Sequence, residues 1–264
     1  MGFSYAGSLG GAGAPVVRRL MAGSDLYVGQ FVMQDLAASG TGGHVKAAAV
    51  ASETFEDDQI LVGFVSGIAD NSRSFVAPAT GYKYGDKSTY TVSKAVVAAN
   101  LRAGQSGAAE VDVTLALPQE TLIRAPLYDT TYGTALAAIT NQTEDTDGTE
   151  IVTGTQQVDI ADDYGTIYCR SGANRGQYRT IASVVTTKYT VDVPFPYTIA
   201  VGDVFVAASC TLGFGGMDFT TGIDAIDGDN DLNAFYSVYY HEINLEEAGQ
   251  EYAVFALWSQ SAES

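Results

Sequence analysis

Gln177-Tyr178-Arg179-Thr180-Ile181-Ala182-Ser183, Lys188-Tyr189-Thr190-Val191-Asp192-Val193 and Asp203-Val204-Phe205-Val206-Ala207 follow one another with turn residues between them. β-Branched and aromatic residues crowd these runs, and such side chains fit a pleated, half-buried surface better than a helix. Short strands at regular spacing, separated by turn signals, predict an antiparallel sandwich or barrel. Thr166-Ile167-Tyr168-Cys169 and Gln157-Val158-Asp159-Ile160 read the same way on the N-terminal side. Asp147-Gly148, in the polar loop Asn141–Gly148, is a turn signal because glycine supplies a positive φ without steric cost.

Working outward, the C-terminal stretch pairs Asn233–Ile243 with Glu251–Trp258 across the connector Leu245–Gln250. Both runs are aromatic, and the pair predicts a hairpin that closes a sheet or packs on a neighbour. Towards the N-terminus, Asp25–Met33, His44–Val50, Ile60–Ile68, Ser88–Val92, Ala109–Leu117 and Thr121–Ala125 read as strands, with Glu53–Asp58 as a solvated acidic loop. Lys94–Leu101 fits a short helix or a strand. Sustained helical periodicity is almost absent, so the predicted class is mainly β. Residues 1–14 are dominated by Gly and Ala and predict a flexible arm, since so little side chain cannot offset ordering entropy. A small N-terminal β domain over 15–125 and a C-terminal β-sandwich over 126–264, divided at Pro126, complete the expected organisation.

The 264 residues carry 13 Lys+Arg against 31 Asp+Glu, a net charge of −18. That balance argues against nucleic acid as a direct partner, because phosphate binding needs a basic face to release counterions. It equally argues against anchoring on an anionic membrane surface. Hydrophobic residues at 46% and charged residues at 17% indicate a chain that buries a core. Met1-Gly2-Phe3-Ser4-Tyr5 has neither the basic nor the apolar region of a secretory leader, so synthesis in the cytoplasm is expected.

Chemistry-bearing motifs are sparse. Cys169 and Cys210 sit in apolar runs and read as inert core residues. No His/Cys cluster has zinc spacing, and Gly-x-Ser-x-Gly, His-Glu-x-x-His and the phosphate-binding loop are missing from the sequence. Neither His44 nor His241 has a nucleophile in a recognisable frame. A non-enzyme without cofactor is therefore expected. The densest oxygen cluster is Asp227, Asp229 and Asp231, at the alternate positions that open a calcium loop. Leu232 at the sixth position and Val238 at the twelfth exclude an EF-hand, leaving an irregular Ca²⁺ site or a solvated turn.

Two groups of stretches resemble known virion proteins. Val28-Gly29-Gln30-Phe31-Val32, Gly42-Gly43-His44-Val45-Lys46 and Ile60-Leu61-Val62-Gly63-Phe64-Val65 resemble the small β domain of tailed-bacteriophage head decoration proteins. Ser171-Gly172-Ala173-Asn174-Arg175-Gly176-Gln177-Tyr178-Arg179-Thr180-Ile181, with Thr190–Phe195 and Val201–Phe205, is similar to a strand–turn–strand unit of phage head and tail structural proteins. The resemblance implies a capsid cement protein on the outer surface of the virion, a homotrimer that binds the major capsid protein where capsomers meet. Pro15, Arg18 and Arg19, beside the arm, are the expected capsid contacts. The alternative is a tail- or fibre-associated receptor or carbohydrate binder, sensitive to Trp258 and the clustered tyrosines. The chain is longer than small decoration proteins, and the resemblance assigns its C-terminal half no role.

Overall fold

The computed structural model describes residues 2–11, 13–22, 26, 28–34, 44–48, 61–68, 109–129, 134–154, 165–219, 226–227 and 236–258. All regular structure among them is strand, so the protein is mainly β. The runs Ser88–Val92, Lys94–Leu101 and Gln157–Ile160, and the loop Glu53–Asp58, lie outside the described residues.

The chain begins with β1 (Ser4–Ser8) and then enters a closed barrel of β2 (Val17–Ala22), β3 (Phe31–Gln34), β4 (His44–Ala47), β5 (Leu61–Ile68) and β6 (Ala109–Leu115), in the order β2-β4-β3-β5-β6. Its ladders are antiparallel except β2 with β4. Inward-facing Leu26, Val32, Val45, Val65, Val111 and Val113 fill it. Within the predicted strand Asp25–Met33, regular pairing starts only at Phe31, because Val28 and Gly29 form a turn. Gly29 has φ +84°, and its backbone lies against that of Gly2, where a Cβ on either residue would overlap.

β7 (Thr121–Pro126) returns beside β1, followed by the small ladder of β8 (Tyr128–Asp129) and β9 (Thr134–Ala135). A second curved sheet then forms from β10 (Ala138–Thr140), β11 (Glu150–Val152), β12 (Thr166–Cys169), β13 (Tyr178–Val185), β14 (Lys188–Val191) and β15 (Val204–Ala208), ordered β10-β15-β12-β13-β14-β11. Its two edges meet: Gln142 N donates to Val152 O at 2.7 Å, and Val152 N donates to Asn141 Oδ1 at 2.9 Å. This near-closure encloses Ile139, Ile151, Ile167, Ile181, Tyr189 and Phe205. Finally β16 (Gly213–Phe219), β17 (Ile226–Asp227), β18 (Tyr236–Asn244) and β19 (Tyr252–Leu257) complete a central sheet ordered β1-β7-β19-β18-β16-β17.

The predicted hairpin of residues 233–258 is therefore present as β18–β19, but its neighbours come from the far end of the chain. The central sheet draws on residues 4–8, 121–126 and 213–257, and the two barrels are excursions from it. A division at 125/126 falls inside β7, which pairs with β1 on one side and β19 on the other. The largest core joins all three units, with Phe31 and Phe64 from the first barrel, Tyr168 and Val206 from the second, and Ile123, Tyr240 and Phe255 from the sheet.

The same core reaches into the first half of the stretch read as an arm. Residues 4–8 pair with β7, and Phe3, 3% exposed, stacks edge-on against Phe31 at 5.0 Å and Phe255 at 6.4 Å. One phenylalanine and a ladder of main-chain bonds order a stretch whose composition alone predicted none. Beyond it, Gly11 N donates to Ser8 O at 3.0 Å and the Tyr5 hydroxyl donates to Gly13 O, which brings Gly11 and Gly13 back towards β1.

Candidate functional site

In an antiparallel ladder, directly paired residues share a face of the sheet. Phe214 pairs with Tyr239, and Tyr239 with Ala256, two residues before Trp258. These aromatic residues therefore lie on the face of the central sheet turned away from the main core. Phe214 is 63% exposed and Trp258 40% exposed. They form one cluster: the Phe214 ring centroid is 4.6 Å from that of Trp258 and 5.2 Å from that of Tyr239, and the latter two are 6.5 Å apart. Phe214 stands at 79° to Trp258 and 69° to Tyr239. These are edge-to-face contacts, the geometry favoured by the ring quadrupoles.

The cluster rests on a stiff support. Trp258 N donates to Ser237 O at 2.9 Å, and Gln119 bonds the same terminus of β19 through Leu257 O. Beneath and beside it, Leu122, Val254 and Ala256 form a small buried cluster packed against Tyr252. The Arg124 guanidinium covers the Tyr252 ring at 3.6 Å, and the Tyr252 hydroxyl donates to Glu242 Oε1 at 2.8 Å. That hydrogen bond to a carboxylate, aided by desolvation, pushes the Tyr252 hydroxyl above its ordinary value.

The expected contact residues sit elsewhere, around the start of the first barrel. Pro15 and Arg18 are exposed, and Arg18 Nη1 donates to Val17 O at 3.2 Å. Arg19 pairs with Asp112 at 3.1 Å across the β2–β6 ladder, so part of its charge is answered within the chain. Asp227 lies in β17 opposite Asp218, while Asp229 and Asp231 fall outside the described residues. Among the described residues no group of three His, Cys, Asp or Glu is placed to hold a metal ion. Cys169 and Cys210 are both buried and form no disulfide with each other, and burial pushes the Cys169 thiol up to about 11.

The Ser171–Ile181 motif has a structural explanation. Asn174, fully buried, accepts from Tyr197 N at 3.0 Å and donates to Tyr197 O at 2.8 Å, clasping two turns together. Gly172, at φ +79°, lies against Asp203, whose Oδ1 would be 2.0 Å from any Cβ there. Asp203 in turn accepts from Ala200 N at 3.0 Å, and the Ser171 hydroxyl accepts from Val204 N at 2.8 Å. The motif thus fixes one end of the second barrel.

The aromatic cluster was legible only in part. Trp258 and the tyrosines stood out in the sequence, but Phe214 lies in a glycine-rich run, Gly213-Phe214-Gly215-Gly216, that gives no strand signal. No protein-family model, curated protein or solved structure matches the chain.

Proposed function

We propose that the chain is a non-enzymatic structural virion protein, a cement or decoration protein that binds the outside of a tailed-phage head and staples adjacent copies of the major capsid protein. The observation that supports it is the exposed cluster of Phe214, Tyr239 and Trp258 on hydrogen-bonded strands. Aromatic residues on a rigid scaffold offer large contact area with little side-chain entropy to lose, and they dominate the centres of protein interfaces. A net charge of −18 complements a basic shell surface and disfavours misplaced contact with packaged DNA. Exposed Arg18 and Pro15 supply a second, smaller contact, and a homotrimer is the oligomer this reading carries.

The tail-associated carbohydrate binder is the less favoured use of the same cluster. A pyranose stacks on an aromatic face that lies open and flat, whereas Phe214 stands edge-on between its two neighbours. The test is the copy number of the chain on purified heads and tails, together with the occupancy of a Phe214→Ser, Trp258→Ser double variant. Many copies per head, falling by about tenfold or more in the variant at unchanged thermal stability, is the expected result. A handful of copies confined to tails overturns the proposal.

A further inference from the structure

Between β18 and the outside of β12 and β13 lies a cleft of about 630 Å³, within the usual range for small-molecule sites. None of the aromatic cluster lines it. Ile243, Val193 and Leu212 give it apolar surface, and Val193 and Leu212 are 55% and 66% exposed. Its polar lining comes from three threonines, one arginine, one aspartate and Tyr178, whose hydroxyl already accepts from Leu245 N at 3.1 Å.

Their existing bonds define what remains to offer. The Thr166 hydroxyl donates to Cys210 O at 2.7 Å, which leaves its oxygen as an acceptor. Arg179 spends Nε on Pro194 O at 3.2 Å and Nη1 on Tyr178 O at 2.6 Å, with its guanidinium 4.9 Å from the Phe195 ring centroid. Those bonds fix the guanidinium, and Nη2 makes no hydrogen bond among the described residues. The Asp192 carboxylate, exposed at the cleft, is in no ion pair among the described residues. Thr180 and Thr211 each add a hydroxyl able to donate or accept.

One cation and one carboxylate leave the lining without net charge. An anionic ligand gains Arg179 but meets Asp192, and a cationic one meets the reverse penalty. A ligand that carries donors and acceptors side by side, no charge, and a C–H face suits every group at once. We propose that this cleft binds a neutral saccharide, its hydroxyls donating to Asp192 and Thr166 and accepting from Arg179, with the ring's C–H face against Leu212 and Val193. This assigns the protein a glycan-binding function distinct from the shell contact and independent of it.

The experiment is binding of the purified full chain to an array of neutral, sulfated, sialylated and amino-sugar glycans, repeated with Asp192→Ala, Thr180→Val and Trp258→Ser. Asp192 is exposed, so its variant should keep the unfolding temperature of the parent, and Thr180→Val offers a second, isosteric probe. The proposal expects neutral glycans to be retained, with affinity about tenfold weaker in Asp192→Ala, the cost of one charge-assisted hydrogen bond, and unchanged in Trp258→Ser. Failure to retain any neutral glycan, preference for charged glycans, or binding indifferent to both cleft substitutions overturns it. Loss of binding in Trp258→Ser alone also overturns it, by moving the site to the aromatic cluster.

Discussion

Asp145 shows how a single side chain organises a turn that the sequence marks only by Asp147-Gly148. Its carboxylate accepts from the amides of Asp147 at 3.1 Å, Thr149 at 2.6 Å and Glu150 at 2.7 Å, while its backbone bonds Ile199 in both directions. Partial burial works against the charged form, but the three amide donors outweigh it and hold the carboxyl below its ordinary value of 3.8. A depressed folded-state value means the unfolded chain binds the proton first. The stabilisation is complete above the ordinary value and is lost as pH falls below 3.8 through the lower folded-state value. In Asp145→Asn, the melting temperature followed over that acid range should therefore fall less steeply than in the parent. An identical slope in both proteins would show that the amide cradle contributes nothing.

At the scale of elements, the most instructive strand is β1. Its composition, Ser4-Tyr5-Ala6-Gly7-Ser8, carries almost no strand signal, and the neighbouring glycines point to disorder. What orders it is Phe3, wedged between Phe31 and Phe255, and those partners lie far away in the sequence. Phe3→Ala should destabilise the protein by about 3–5 kcal/mol, the usual cost of emptying a buried phenylalanine site, measured as a lowered urea midpoint. The same logic separates what was readable from what was not. β6, with its period-two alternation, and β13 and β19, with their β-branched and aromatic runs, were legible because their own residues carry the signal. β1 and β16 were not, because small residues there are admitted by partners that only the assembled sheet brings together. The Ser171–Ile181 motif was conspicuous as a strand–turn–strand unit, and its buried Asn174 and Gly172–Asp203 contact serve the turn itself. The aromatic cluster was half legible, with Trp258 visible and Phe214 hidden among glycines. The saccharide cleft was not legible at all, because its lining comes from five separate places in the chain.

Across the whole molecule, the second barrel is tied to the central sheet by one nearly dry ion pair. Arg170, after β12, bonds Glu251, at the start of β19, and also donates from Nε and Nη2 to Leu245 O at 3.0 and 2.9 Å. The side chains are 12% and 1% exposed, so the pair is shielded from solvent. Removing one member leaves the other desolvated and unpaired. Arg170→Met should cost about 3–5 kcal/mol, whereas the double variant Arg170→Met, Glu251→Leu should recover most of that loss. Chemical denaturation of both variants tests this, and equal instability in the two would assign the loss to the Leu245 contact rather than to the orphaned carboxylate.

The central sheet also sets a timetable. Of the strands in that sheet β1 leaves the ribosome first, yet the sheet is complete only after β19 has emerged, some two hundred and forty residues later. The first barrel closes through ladders within its own stretch of chain, and the second, nearly closed sheet likewise pairs only its own strands, so both can form during synthesis. Until the last hairpin arrives, Phe31, Phe64, Tyr168 and Val206 lack the part of their cover that Val238, Tyr240, Phe255 and Leu257 supply. Nascent chains stalled before β18 should thus be the aggregation-prone species, and the newborn protein stays adhesive until its final strands seal the core.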